Sequence, residues 1–118
     1  MRLATPDGTV VQAEMKIGNS MFYVSTGSEA WQADSLAEGV MAPCLFIITV
    51  DDVDSAFENA ISVGGTKIED PTDQFWGMRT SILADPFGYR WILRKITEEL
   101  SSEEFMARAA KYMGGGAE

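Results

Sequence analysis

The chain has 118 residues, a hydrophobic fraction of 46% and a net charge of −9. That length suits one domain with a real core, and the apolar content is too high for a disordered chain. The acidic balance, with no basic cluster to offset it, argues against nucleic acid and anionic membrane surfaces as partners.

The sequence contains no histidine, which removes the commonest acid–base group and the commonest metal ligand together. Its single cysteine, Cys44, allows no intrachain disulfide and, without histidine, no structural zinc site. Cys44 lies in the apolar run APCLFIITV, where buried packing is the expected role. No D-x-D-x-D-G loop is present for a hard cation. No apolar run approaches the roughly 20 residues of a membrane span, and MRLATPDG has no apolar stretch after Arg2. A cytoplasmic location is the expectation.

In chain order, Arg2–Ala4 reads as a short strand and Pro6-Asp7-Gly8 as a turn. In TVVQAEMKI, Val11, Ala13, Met15 and Ile17 alternate with Gln12, Glu14 and Lys16, the pattern of a half-buried strand. Gly18-Asn19-Ser20 turns the chain into a further strand, MFYVS. Residues 26–42 have no strong period; a short helical turn is expected near Ser35–Glu38, and Trp31 either plugs the core or lines a pocket. Such a loop is often a binding loop or lid.

CLFIITV predicts a fully buried strand. Asp51, Asp52 and Asp54 then begin a helix with Val53, Phe57, Ala60 and Ile61 on one face, ended by Gly64 or Gly65. Capping, rather than catalysis, is the expected use of these aspartates. TKIED reads as a short strand, PTDQFWG as a loop, MRTSILA as a strand, DPFG as a turn and YRWILRKI as a strand. Ser101 and Glu104 form a capping box for a last helix, EEFMARAAKYM, followed by a glycine-rich tail.

The two meanders repeat weakly: DGTVVQAEMKIGNSMFYV aligns with WGMRTSILADPFGYRWIL, pairing Gly8 with Gly77 and Gly18 with Gly88. VDDVDSAFENAISVGG, DQFWGMRTSILADPFGYRWIL and LSSEEFMARAA together resemble the second half of a vicinal oxygen chelate protein of the glyoxalase/bleomycin-resistance/dioxygenase group. TPDGTVVQAEMKIGNSMFYVS resembles the end of its first half. The resemblance implies an α+β fold of paired βαβββ modules, the first truncated to βββ, in which a curved mixed sheet surrounds a cavity. The expected boundaries are 1–25 for the partial module, 26–42 for the loop, 43–95 for the complete module and 101–113 for the C-terminal helix, all in one domain.

In metal-using members of that group the ligands sit on the first and last strands of each module and are His, Glu or Gln. The resemblance puts those positions at Ile47, Ile92 and, through the repeat, Phe22; the fourth belongs to an opening strand this chain lacks. None of the three side chains offers a lone pair, and a one-residue slip to Phe46, Ile48, Trp91 or Leu93 does not help. Glyoxalase-type metal chemistry is therefore disfavoured, and no cofactor is expected.

Three functions follow as expectations. The first is a metal-free binder of a hydrophobic or aromatic small molecule, cationic ones included, as in antibiotic-binding relatives. Its cavity would be floored by Phe22, Ile47 and Ile92 and bordered by Gln12, Thr49, Trp76, Arg79 and Arg90. The second is a metal-independent lyase or isomerase using Glu14 or Tyr89 as base or acid. The third is a scaffold. The absent strand and helix leave a sheet edge to cover, so a homodimer, side by side or with exchanged elements, is expected under each.

Overall fold

The structure is a computed structural model that describes residues 1–27, 32 and 34–114. Trp31 lies outside the described residues. The chain divides into two compact units, Met1–Ala37 and Glu38–Glu118.

The first unit is an antiparallel meander of β1 (Arg2–Ala4), β2 (Val10–Ile17) and β3 (Ser20–Ser25), in the order β1-β2-β3. The turn between β1 and β2 is tied by Asp7, whose Oδ1 accepts the Thr9 N–H at 3.0 Å and a hydroxyl hydrogen bond from Thr5. The expected half-burial of β2 is found from Val10 to Glu14 on both faces, while Met15 to Ile17 are exposed. Asp34–Ala37 form no helical turn; the chain instead makes a plain turn at Glu38 and Gly39.

The second unit is a complete βαβββ module: β4 (Leu45–Thr49), α1 (Val53–Ser62), β5 (Thr66–Asp73), β6 (Met78–Ala84) and β7 (Arg90–Ile96), followed by α2 (Ser102–Met113). Its sheet has the order β4-β7-β6-β5, with β4 parallel to β7 and the other pairs antiparallel. The fold is α+β, as the sequence predicted.

Helix α1 starts where the aspartates place it. Asp52 is the N-cap, accepting the Ser55 N–H at 3.1 Å, which satisfies one of the orphan donors of the first turn. The helix lays Val53 and Phe57 against Leu83 and Leu93, with Ile48, Val50, Ala56, Ala60, Ile61 and Trp91 around them. Fully burying each of the four central side chains contributes about 1.5–3 kcal/mol. Ser81 is 0% exposed under this helix, and its Oγ has no hydrogen-bond partner.

The structure changes three sequence expectations in this unit. Strand β4 is not fully buried: Leu45, Phe46 and Ile47 are exposed. Leu45 and Ile47 lie on the face that helix α1 does not cover, and β4 is an edge strand, so Phe46 has no neighbour strand on its outer side. Cys44, just before β4, is also exposed rather than buried. Strand β5 continues through Pro71 to Asp73 instead of stopping at Asp70. It is an edge strand, where the missing proline N–H costs no ladder bond, and its register shifts twice, between Lys67 and Glu69 and between Glu69 and Thr72.

Helix α2 has Ser101 as N-cap, its Oγ accepting the Glu104 N–H at 3.1 Å. The helix is held by Phe75, which stacks on Tyr112 at 4.8 Å and lies 6.2 Å from Phe105. Arg108 bridges Glu98 through both terminal nitrogens, at 2.8 and 3.1 Å. Hydrogen bonding to Arg108 holds the Glu98 carboxyl below its ordinary range. No described helix is long and apolar enough to cross a membrane.

Candidate functional site

Side chains alternate across a strand, so the sheet of the second unit has one face under α1 and one away from it. Leu83, Leu93 and Ile48 mark the covered face. The ladder then assigns rows to the other. Ile47, Ile92, Ile82 and Glu69 form one row across all four strands. Thr49, Arg94, Thr80 and Thr72 form the row on one side of it, and Leu45, Arg90, Ala84 and Thr66 the row on the other. Beyond Thr80 and Arg94 come Met78 and Ile96, which pair directly.

The centre of this face is apolar. Ile47, 54% exposed, stands directly opposite the half-buried Ile92, and Ile82 continues the surface. A polar cluster borders it on the β5 side, where Gln74 Nε2 donates to Glu69 Oε1 and to Thr80 Oγ1, both at 3.0 Å. On the β4 side Arg94 Nε donates to Thr49 Oγ1 at 3.1 Å. Arg90 reaches the Ala42 carbonyl at a long 3.5 Å, and its Nε is buried without a partner.

At the Met78/Ile96 end the face runs into an open cleft of about 620 Å3 between the sheet and α2. Trp76, Leu100, Phe105 and Met106 complete its apolar lining, with Glu98 and Glu99 at the rim. Trp76 is fixed edge-on against Phe75 at 4.8 Å.

The structure thus gathers Ile47, Ile92, Thr49 and Arg90 on one face and sets Trp76 in the adjoining cleft. Arg79 stands on the opposite, α1-covered face, where each of its three nitrogens donates to a carboxylate. Nε and Nη2 donate to Asp54 at 2.8 and 2.9 Å, and Nη1 donates to Asp73 at 3.1 Å. These hydrogen bonds, to Asp54 first and then Asp73, raise the guanidinium pKa further and hold Asp54 below its ordinary carboxylate range. Tyr89 sits in the β6–β7 turn with its ring 5.8 Å from Phe46.

Gln12, Glu14 and Phe22 belong to the first unit. Gln12 and Glu14 share a face with Ser25 and Tyr23, whereas Phe22 pairs with Met15 on the other. The sequence reading missed Ile82, Glu69, Gln74, Thr80 and Arg94. Arg94 was legible as the third member of the alternating set Arg90, Ile92, Arg94. Glu69 was not, because two register shifts decide which face it takes.

A cation does not fit between Ile47 and Ile92. Neither side chain offers a lone pair, and among the described residues there is no grouping of three or more His, Cys, Asp or Glu side chains able to hold one.

Residues 5–93 match the family model of the Glyoxalase/Bleomycin resistance protein/Dioxygenase superfamily. An uncharacterized protein of Mycobacterium bovis is 31% identical over 121 residues, covering 98% of this chain and 77% of its own length. One from Mycobacterium tuberculosis is also 31% identical, over 98% of this chain and 69% of its own length. Among solved structures, TioX from Micromonospora sp. ML1 superposes with a TM-score of 0.64 at 22% identity, covering 81% of this chain and 76% of TioX. A glyoxalase-related enzyme from Fulvimarina pelagi gives 0.56 at 12% identity, over 72% of this chain and 64% of that one. At such identities the likeness concerns the fold.

Proposed function

The chain belongs to the glyoxalase/bleomycin resistance protein/dioxygenase superfamily, and from that premise we propose that it is a metal-independent binding protein for hydrophobic or aromatic small molecules. The observation that carries this reading is the juxtaposition of Ile47 and Ile92. Two branched aliphatic side chains pair across β4 and β7 on an exposed sheet face, at the positions that the sequence resemblance equates with the ligand positions of metal-using members.

Small-molecule sites are largely apolar with a few placed polar groups. Here Ile47, Ile82 and Ile92 supply the apolar floor, and Thr49, Arg90, Arg94 and the Glu69–Gln74–Thr80 cluster supply the polar border. An aromatic ring laid on this floor gains about 25 cal/mol for each Å2 of apolar surface removed from water. The aromatic wall of the adjoining cleft, Trp76 and Phe105, extends the surface along the same direction.

A thermal-shift screen of apolar and aromatic compounds, with and without divalent metals, tests the reading. Binding to the folded state alone raises stability by about 2.7 kcal/mol at a hundredfold excess over Kd. The expected hits stabilise the protein without metal and lose their effect in Ile92→Glu, which puts a charge on the floor. Hits that require an added transition metal would overturn the proposal.

A further inference from the structure

The apolar face carries cations that the sequence composition does not lead one to expect. Arg90, Ile92 and Arg94 occupy alternate positions of β7, so the two arginines rise from the same face on either side of the isoleucine. Acids outnumber bases 18 to 9 in this chain, yet neither arginine is paired with a carboxylate among the described residues. Arg79 and Arg108, on other surfaces, are both locked by carboxylates.

Arg94 is oriented by its Nε bond to Thr49 at 3.1 Å. That bond leaves both terminal nitrogens for another acceptor, in the planar fork that matches a carboxylate or similar oxyanion. Arg90 has an Nε with no acceptor and a 3.5 Å contact to the Ala42 carbonyl. A buried donor left unpaired is costly, and a bound anion beside the guanidinium offsets that cost.

We propose that the ligand of this face is an organic anion. Its apolar or aromatic body lies on Ile47, Ile82 and Ile92, and its carboxylate or other oxyanion is held by Arg94, with Arg90 adding positive potential. The inference rests on the apolar-site reading above and names the ligand class for that site. The chain's overall acidity points the other way, toward cations. Charges more than a Debye length away, about 8–10 Å in ordinary salt, are screened, so the two nearest guanidiniums decide. Glu69 shares the face, but it is two strands away from β7 and its Oε1 is occupied by Gln74.

The test uses two dyes with the same apolar body. One is 1-anilinonaphthalene-8-sulfonate and the other is N-phenyl-1-naphthylamine, which lacks the sulfonate. Each is titrated by fluorescence into folded wild-type protein and into Arg94→Gln, Arg94→Lys and Lys95→Gln, with circular dichroism confirming the native fold of each. Lys95 pairs with Arg79 on the opposite face and serves as the charge-matched control.

The expected result is that wild type binds the sulfonate dye about tenfold or more tighter than the neutral one, the size of one charge-assisted hydrogen bond. The preference should collapse in Arg94→Gln, shrink in Arg94→Lys and persist in Lys95→Gln. Equal affinity for both dyes in wild type, or an unchanged preference in Arg94→Gln, overturns the inference while leaving the apolar site intact. Failure of wild type to bind either dye removes the apolar-site reading and this inference together.

Discussion

The carboxylate of Asp85 grips the indole of Trp91: Oδ2 accepts the Nε1–H at 3.0 Å. Its other oxygen accepts the backbone N–H groups of Phe87 at 2.8 Å and Tyr89 at 3.0 Å. One side chain thus closes the D-P-F-G turn and pins the second residue of β7, whose ring packs 4.8 Å from Phe46. The motif aligns the strand that carries Ile92 and the two arginines. Asp85→Ala removes three hydrogen bonds worth about 1 kcal/mol each. Urea denaturation should show a loss of about 2–3 kcal/mol; a loss well under about 1 kcal/mol would mean that Pro86 and Gly88 hold the turn unaided.

Gly77, between β5 and β6, has φ +80° and lies so close to the strand end that an added Cβ would stand 2.6 Å from the Glu98 carbonyl oxygen. Its own carbonyl accepts the N–H groups of Thr97 and Glu98. Gly77→Ala meets both the left-handed backbone penalty and a clash with main chain, and should cost about 2 kcal/mol or more. Gly39→Ala, with the same φ but open space around it, should cost only the backbone term of about 1–2 kcal/mol. Thermal melts of the two variants separate the contributions.

Arg79 ties the first turn of α1 to β5 and β6, and the resulting pH dependence has a definite sign. Hydrogen bonding to Arg79 lowers the Asp54 pKa in the folded state from its ordinary 3.8. The stability it contributes is therefore present above that value and is lost as pH falls through the folded pKa. Melting temperatures of wild type and Asp54→Asn should differ at neutral pH and converge in acid below pH 3.8. A difference that is constant with pH would assign the effect to something other than ionisation.

Ser81 is enclosed beneath α1 with its hydroxyl unpaired. Ser81→Ala removes a polar group that no longer has water and has gained no protein partner. It should raise stability by about 1 kcal/mol, read as a higher urea midpoint at unchanged m-value.

Much of the fold could be read from the chain because local chemistry and tertiary demand agree there. Asp52 and Ser101 cap the two helices as their sequence neighbours indicate. The glycines matched by the weak internal repeat share a conformation: Gly8 and Gly77 have φ +90° and +80°, Gly18 and Gly88 +59° and +93°. The misreadings arise where burial is set by distant partners. The run LFIIT looks like a strand covered on both faces, yet only one face receives a helix, which leaves Leu45 and Ile47 exposed; Cys44, just before the strand, is exposed as well. Arg79 looks like a group free to meet a ligand, but Asp54, 25 positions earlier, holds it. The three site positions in the first unit, Gln12, Glu14 and Phe22, divide between two faces of their sheet.

The parallel partnership of β4 with β7 also orders events during synthesis. β4 is the first strand of its module to leave the ribosome and β7, its partner, the last. The hairpins of β5, β6 and β7 close over short turns, whereas β4 must wait for the whole module to appear, which at roughly 5–20 residues per second takes several seconds. For that interval an uncharged, β-branched segment is without a mate, a template for misassociation between nascent chains. The same isoleucine-rich strand that contributes Ile47 to the exposed face is thus the strand of its module that waits longest for its partner.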